Sequence, residues 1–286
     1  MSKKIGAKSY RSGIGNIGIF IVILIIALFM VLPMVFVFSN AFKPISELFI
    51  FPPKLFPQKP TFDNFTNLSA LLGDSWLPFP RYFFNSVLIT IFGTTGNIIF
   101  SSMAAYMLSK HDFPGKKVLF QIVVLSLLFS GAVTSIPNYI IMTKLHLINT
   151  YWALILPVLP SSLGLFLMKQ FIDQMVPDTI LEAAQLDGAS ENRIFLQIVM
   201  PMVKPAWLTQ LIFSFQGIWA TTGGILIFDE ELKTLPTALS NIVSGGIART
   251  GVSAAISLIM ILPPITVFLF SQSNVMQTMS SSGIKD

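Results

Sequence analysis

Long uncharged stretches alternate along the chain with short segments that carry the charges. The first stretch runs for 31 positions from Ser12 to Phe42, more than the roughly 20 apolar residues that cross a bilayer core. Because a charge at the centre of a span costs about 2.5–3.5 kcal/mol, soluble core helices are a poor alternative explanation. The pattern predicts an all-α protein with six membrane-spanning helices at about 14–38, 83–108, 118–142, 147–168, 206–228 and 252–274.

The distribution of Lys and Arg predicts the orientation of these spans. With the N-terminus inside, eleven of the eighteen basic residues lie on the cytoplasmic side, and four of the other seven lie in one long loop, where charge directs topology less firmly. We therefore expect both termini in the cytoplasm, an inner loop at 169–205, and extracytoplasmic loops at 40–81 and 229–249. The apolar stretch 17–38 is too long for a signal-peptide core, so residues 1–286 are predicted to form one membrane domain.

Composition supports a membrane protein and excludes several kinds of site. Hydrophobic residues make up 53% of the chain and charged residues 11%, against roughly 25% charged residues in soluble domains. The net charge is +5, and the charged residues lie at the ends of the spans, as expected for a protein in a lipid bilayer rather than one that binds nucleic acid. With no cysteine and two histidines, we predict no catalytic residue, no metal site and no cofactor bound by this chain.

The source of energy for any transport cannot lie in this sequence. It contains no G-x-x-x-x-G-K-[ST] phosphate-binding loop, so ATP would have to bind another polypeptide. Ion-coupled secondary carriers usually need ionisable groups at membrane depth, and the six predicted spans contain none. A secondary carrier and a membrane scaffold without transport remain the alternative functions.

The inner loop reads as two short helices joined by a glycine corner. Asp178 is predicted to cap the first helix, Gly188 to end it in the left-handed conformation, and Ser190 to cap the second. The second helix carries apolar residues at helical spacing, namely Ile194, Phe195, Ile198, Val199 and Met202. Small residues flanked by carboxylates predict a protein-contact surface on the first helix, formed by Glu182, Ala183, Ala184 and Asp187.

The spacing of Glu182-Ala183-Ala184, Gly188, Ile198 and Met200-Pro201 resembles the E-A-A…G…I-x-L-P loop of binding-protein-dependent ABC importer permeases, with Met200 where leucine is usual. Most of the chain is similar to the carbohydrate permeases of the maltose-transporter type, through Asn85-Ser86, Ala104-Ala105-Tyr106, Phe113-Pro114-Gly115, Leu147-Ile148-Asn149-Thr150-Tyr151-Trp152 and Leu235-Pro236.

This resemblance implies a type I ABC importer permease fold in a bacterial cytoplasmic membrane. It also implies a second homologous permease, a cytoplasmic ATPase dimer that binds ATP and Mg, and an extracytoplasmic solute-binding protein that delivers a carbohydrate. By matched position, Glu182, Ala183, Ala184 and Gly188, with Asp187 beside them, would contact the ATPase.

Two further sets of residues are candidates for contact with the solute or its binding protein. Uncharged polar side chains within the spans suit a polyhydroxylated solute, and Asn97, Gln216 and Trp219 are the predicted pathway residues. Helix packing is the alternative role, since small and hydroxyl residues bring membrane helices together. In the related permeases the outer loop enters the binding protein, which implies that role here for Ser244, Gly245 and Gly246.

Overall fold

A computed structural model describes residues 13–73, 78–244, 246 and 249–282. Within these ranges all regular secondary structure is helical. The α-helices are α1 (Gly13–Ala41), α2 (Ile45–Leu48), α3 (Asp63–Gly73), α4 (Phe79–Lys110), α5 (Lys116–Ser126), α6 (Gly131–Lys144), α7 (Trp152–Ile155), α8 (Ser162–Met175), α9 (Asp178–Leu186), α10 (Glu191–Ile194), α11 (Met200–Met202), α12 (Lys204–Trp219), α13 (Leu235–Val243) and α14 (Thr250–Ser282). The all-helical fold class is as predicted.

Four helical segments of the described chain are long and apolar enough to cross a membrane. They are Ile17–Ala41, Pro80–Lys110, Trp152–Met175 and Thr250–Gln272. Two further candidates are pairs of helices bent at a short break. The α5/α6 pair is bent by 112°, and the pair Glu191–Met202 and Lys204–Trp219 is bent by 80°. The described residues therefore hold four candidate spans, or six if each bent pair counts as one.

Breaks in the helices follow local backbone chemistry. The stretch predicted at 118–142 is interrupted between α5 and α6, where Ser130 is the N-cap of α6. The stretch predicted at 206–228 is helical only to Trp219, and left-handed Gly223 (φ 63°) precedes a 3₁₀ turn at Gly224–Leu226. A non-glycine residue rarely adopts that φ, so glycine at position 223 allows the chain to turn a few residues after the helix ends.

The chain divides into two compact units, 1–68 with 246–258 and 69–245 with 259–286. In the first unit, the Asn64 side chain ties the end of α1 to the loop that follows. Its Nδ2 donates to the carbonyl oxygens of Ala41 at 2.9 Å and Lys43 at 2.8 Å. The Lys43 side chain is buried, and its Nζ donates to Asn40 Oδ1 at 2.7 Å.

In the second unit, α4 packs against α8 and α12 and lies beside two apolar cores. One core surrounds Ile89, Ala153 and Leu154. The other surrounds Tyr106, near the C-terminal end of α4, and joins that helix to the inner loop. Its buried members are Ala105, Tyr106, Met168, Ile172, Val176, Leu181, Ala184, Ile194, Val199, Val203 and Ala206. The second core holds α9 in place by burying its inner face.

Candidate coupling loop and translocation site

The corner of the inner loop has the backbone geometry that the sequence predicts. Gly188 has φ 78°, in the left-handed region. The Ala189 N–H donates to the Ala184 carbonyl at 3.0 Å, and the Gly188 N–H donates to the Gln185 carbonyl at 3.0 Å. This pair of bonds is the Schellman motif, which satisfies the last carbonyls of α9 and turns the chain sharply. The predicted role of Gly188 as the end of the helix is confirmed.

The predicted capping side chains behave differently. Asp178 is not the N-cap of α9, because Pro177 holds that position and Asp178 is the first helical residue. There its carboxylate accepts a hydrogen bond from Lys110 Nζ at 2.7 Å and lies at the favourable end of the helix dipole. Ser190 is the N-cap residue of α10, but its side chain makes no capping hydrogen bond.

Burial separates the outer face of α9 from its inner face. Leu181 and Ala184 are 7% and 9% exposed and belong to the second core, whereas Glu182, Ala183, Asp187 and Gly188 are exposed. Leu186 is 89% exposed, which is unusual for a leucine at a helix end. The exposed contact surface therefore differs in two residues from the one that the sequence predicts. Ala184 packs inward, and Leu186 joins the outer face.

The second helix of the loop buries the predicted apolar face. Ile194 and Val199 have no exposed surface, while Phe195, Ile198 and Met202 pack against the same core. Residues Phe195–Val199 form a π-helical turn just before Pro201, whose missing N–H cannot continue the α-helical ladder. A groove of about 370 Å³ follows the corner and is lined by Ala184, Asp187, Ala189, Arg193, Gln197 and Ile198.

Asn97 lies in the middle of α4 and joins three helical segments. It is 5% exposed, and its Nδ2 donates to the Val158 carbonyl at 2.6 Å. Its Oδ1 accepts from Gln210 Nε2 of α12 at 2.7 Å. The α-helix is interrupted in this segment, which contains Pro157 and Pro160, and the Asn97 amide supplies a donor to the Val158 carbonyl at the break.

Asn97 and Gln210 line a cavity of about 300 Å³ with Ser161 and Ser214. The other lining residues are mostly apolar, and the described residues around the cavity include no charged side chain. Gln210 is 3% exposed, and its Oε1 has no hydrogen-bond partner among the described residues. Gln210 is not among the pathway residues predicted from the sequence, although its position as an amide within an uncharged span is a signal that could have pointed to it.

The other two predicted pathway residues lie in different environments. Gln216 is exposed on α12. Trp219 is 3% exposed, stacks on Phe215 at 6.1 Å between ring centroids, and donates from Nε1 to the Met260 carbonyl at 3.1 Å. In α14 that carbonyl would normally bond to the N–H of residue 264, which is a proline. Trp219 therefore supplies the bond that Pro264 cannot make.

The first turns of α4 are fastened to the segment that precedes α13. Asn85 is fully buried, and its Nδ2 donates to the carbonyls of Glu231 at 2.8 Å and Lys233 at 2.9 Å. Its Oδ1 accepts from the Tyr151 hydroxyl at 2.7 Å. The Ser86 hydroxyl accepts from the Leu235 N–H at 2.7 Å. These bonds fix the start of the 229–249 loop on the membrane helices.

A carboxylate strengthens this attachment. Glu230 Oε1 accepts from the Tyr82 hydroxyl at 2.8 Å, and its Oε2 accepts from Lys233 Nζ at 2.5 Å. Burial raises the pKa of Glu230, but the hydrogen bonds from Lys233 and Tyr82 outweigh it, so the pKa lies below its ordinary value of 4.5.

The loop tip predicted to meet a binding protein is described only in part. Ser244 is exposed after α13, and Gly246 is exposed with φ 86°, while Gly245 lies outside the described residues. Among the described residues, no group of three His, Asp or Glu side chains is placed to hold a metal ion.

Comparison with known proteins relates most of the chain to permease proteins of transport systems. No family model matches it. The arabinooligosaccharides transport system permease protein AraQ of Bacillus subtilis (strain 168) is 30% identical over 267 residues, which cover 90% of this chain and 93% of AraQ. The sn-glycerol-3-phosphate transport system permease protein UgpE of Yersinia enterocolitica is 29% identical over 261 residues, covering 88% of this chain and 91% of UgpE.

A solved structure has the same fold. A chain of a bacterial ABC transporter involved in the import of the acidic polysaccharide alginate superposes with a TM-score of 0.74 and 23% identity, covering 92% of this chain and 98% of that one. The same kind of transporter, in complex with its alginate pentasaccharide-bound periplasmic protein, aligns with a TM-score of 0.58 and 16% identity over 90% of this chain and 94% of that one. The identity to AraQ across nearly the whole length, together with this fold, shows that the chain belongs to the permease subunits of carbohydrate ABC importers, which are membrane transport proteins and not enzymes.

Proposed function

We propose that this chain is a six-span subunit of an importer that moves an oligosaccharide into a bacterial cell across the cytoplasmic membrane. Both termini would lie in the cytoplasm, and a second homologous permease would complete the pathway. ATP and Mg would bind to a separate ATPase dimer, and a solute-binding protein would deliver the cargo. The observation that carries the proposal is the exposed glycine corner at Gly188, held rigidly on a buried core.

The six-span count rests on the two bent helix pairs. Each pair passes the length and hydropathy test as a unit, so six crossings result if α5 with α6 forms one and α12 forms the other, with Glu191–Met202 remaining in the inner loop. An even number of crossings is compatible with both termini on one side. The turn between α4 and α5 would lie on the same side as the termini. It is flanked by three basic residues, Lys110, Lys116 and Lys117, which favour the cytoplasm as that side.

An uncharged cargo suits the cavity between α4, α8 and α12. Its polar lining consists of amide and hydroxyl groups, which can exchange hydrogen bonds with sugar hydroxyls, and the described lining offers no cation for a phosphate or uronate group. We therefore favour a neutral oligosaccharide, as the name of AraQ suggests, over the sn-glycerol-3-phosphate of UgpE. The same lining provides no ionisable group for an ion-coupled carrier.

The outer face of α9 is the part of the loop where a partner can approach closely. Glu182 and Asp187 place two carboxylates beside Ala183, where a basic side chain of an ATPase could form charge-assisted hydrogen bonds. A Cβ at Gly188 would meet nothing within 4 Å in this chain. Because asparagine also tolerates the left-handed conformation at φ 78°, an asparagine there should disturb a bound partner more than it disturbs the chain itself.

The experiment compares Gly188→Asn with Gly115→Asn in the complete importer. Asparagine tolerates the left-handed conformation, and Gly115 is a matched control, since it has φ 89° and also has nothing within 4 Å. We expect Gly188→Asn to lower retention of the ATPase in a mild-detergent pull-down and transport by at least about tenfold, and Gly115→Asn to change neither.

Cysteine labelling adds the topology to the same experiment. The chain has no cysteine, so Ala183→Cys in intact cells should resist a membrane-impermeant maleimide, whereas Ser244→Cys should react. Normal transport and ATPase retention in Gly188→Asn would refute the docking role. Labelling of Ala183→Cys from outside would refute the orientation.

A further inference from the structure

The C-terminal end of α4 is bonded to the inner loop at 169–205, called the coupling loop from here on, on both sides of the Gly188 corner. Before the corner, Lys110 Nζ donates to the Val176 carbonyl at 2.6 Å and to Asp178 Oδ1 at 2.7 Å. After the corner, the Tyr106 hydroxyl donates to Glu191 Oε2 at 3.0 Å. A displacement of the corner therefore pulls on α4 through two separate attachments.

Glu191 is the centre of the second attachment. Its Oε1 accepts from Gln185 Nε2 of α9 at 3.1 Å, and its Oε2 lies 3.6 Å from His111 Nε2 at the end of α4. A single carboxylate thus connects both helices of the loop to α4. The Glu191 side chain is half exposed, so water can reach the part of the carboxylate that these contacts leave free.

The partner of Glu191 is held firmly. Tyr106 is 5% exposed, and its ring packs against Phe195 at 5.5 Å and edge-on against His111 at 5.2 Å between centroids. Because the ring cannot move independently of α4, a force on the Tyr106 hydroxyl acts on the helix itself.

At its other end the same helix reaches the segment before α13. Helix α4 has 32 residues and is about 48 Å long at 1.5 Å per residue. Asn97 bonds its middle to α12 through Gln210, and Asn85 bonds its first turns to Glu231 and Lys233. One continuous helix therefore contacts the coupling loop, the central cavity and the loop segment of the opposite face.

We infer that Glu191 is a positioning residue that, through Tyr106, transmits the movement of the coupling loop to α4, and that α4 carries the signal between the ATPase side and the 229–249 loop. The inference rests on the proposed docking of the coupling loop on an ATPase. It assigns no contact with ATP, the ATPase or the solute to either residue.

The test uses the assembled importer in lipid vesicles, with ATPase dimer, second permease and binding protein. Three quantities are measured for each variant, namely ATPase retention, basal ATP hydrolysis, and the ratio of binding-protein-stimulated to basal hydrolysis. The variants are Tyr106→Phe, Glu191→Ala and their combination, with Glu191→Gln as the conservative variant. Tyr139→Phe is the control, because it removes a hydroxyl outside the cluster.

We expect retention and basal hydrolysis to stay within twofold of the parent in every variant. Tyr106→Phe removes one hydrogen bond to a half-exposed carboxylate and should reduce the stimulation ratio about fivefold, and Glu191→Ala, which also removes the bond from Gln185, should reduce it at least as much. Because Tyr106 acts through Glu191, the combined variant should be no worse than Glu191→Ala alone. Glu191→Gln keeps an acceptor oxygen and should recover most of the ratio, and Tyr139→Phe should match the parent.

Each other result has a defined meaning. A normal stimulation ratio in Tyr106→Phe, or effects that add fully in the combined variant, would overturn the inference. Loss of ATPase from both single variants would also overturn it, since the bond would then serve assembly rather than transmission. Failure of the docking proposal would look different, because Gly188→Asn would then retain the ATPase and transport normally.

Discussion

Replacing Trp219 by phenylalanine tests whether this residue serves the helices or the solute. The indole Nε1 donates to the Met260 carbonyl, whose α-helical partner is missing because residue 264 is proline. Phenylalanine keeps most of the ring packing against Phe215 but removes this donor. An unsatisfied buried carbonyl costs about 1–3 kcal/mol, so Trp219→Phe should destabilise the protein by that amount.

The measurement is the thermal unfolding midpoint of the purified chain in detergent, followed by intrinsic fluorescence. Trp152→Phe is the control, since that tryptophan is 54% exposed, and its midpoint should stay near the parent value. Pro264→Ala restores a backbone N–H at position 264, so in the Trp219→Phe background it should recover stability. The reasoning is wrong if Trp219→Phe leaves the midpoint unchanged and instead raises the transport KM, which is the result expected of a solute contact.

Two further substitutions probe the polar contacts of α12 and of the 229–249 loop. A Cβ at Gly164 would lie 2.2 Å from Gln210 Nε2, so the buried amide would have to leave its bond to Asn97, and Gly164→Ala should lower the free energy of unfolding by about 1–3 kcal/mol. Gly217 lines the same cavity but has open space around it, so Gly217→Ala should leave the stability unchanged. Equal unfolding midpoints for the two variants would contradict this reasoning. Because the pKa of Glu230 is lowered in the folded state, its bonds to Tyr82 and Lys233 stabilise the protein above the ordinary pKa of 4.5, and this contribution is lost as the pH falls below that value. The difference in unfolding midpoint between the parent and Glu230→Gln should therefore shrink below about pH 4.5, and a difference that stays constant would show that the carboxylate is not stabilised.

The apolar helices can be predicted from the sequence because the absence of charged residues can be recognised within each stretch alone. The sequence does not predict where a stretch bends. The 112° break between α5 and α6 falls at a run of leucine and phenylalanine followed by Ser130 and Gly131. The hydropathy of this region gives no sign of the break. Backbone direction at such a point depends on which neighbours the two halves pack against, and that information lies elsewhere in the chain.

The difference between local and long-range information also explains which site residues could be predicted. Gly188 could be assigned because the left-handed end of a helix is specified by a few adjacent residues. The orientation of Ala184, packed inward, follows from core residues far away in the sequence. The sequence can mark Trp219 and Gln210 as polar residues within apolar spans, but it cannot assign their roles, since these are set by partners 41 and 113 positions away.

Helix α1 has a consequence for how the protein assembles. None of the residues in its most apolar window is buried in the described structure. A helix that is apolar all round is suited to contact with lipid or with another polypeptide. Substitutions that disrupt the surface of this helix should therefore leave the thermal stability of the isolated subunit unchanged. Their only effect should be a lower number of assembled complexes per cell.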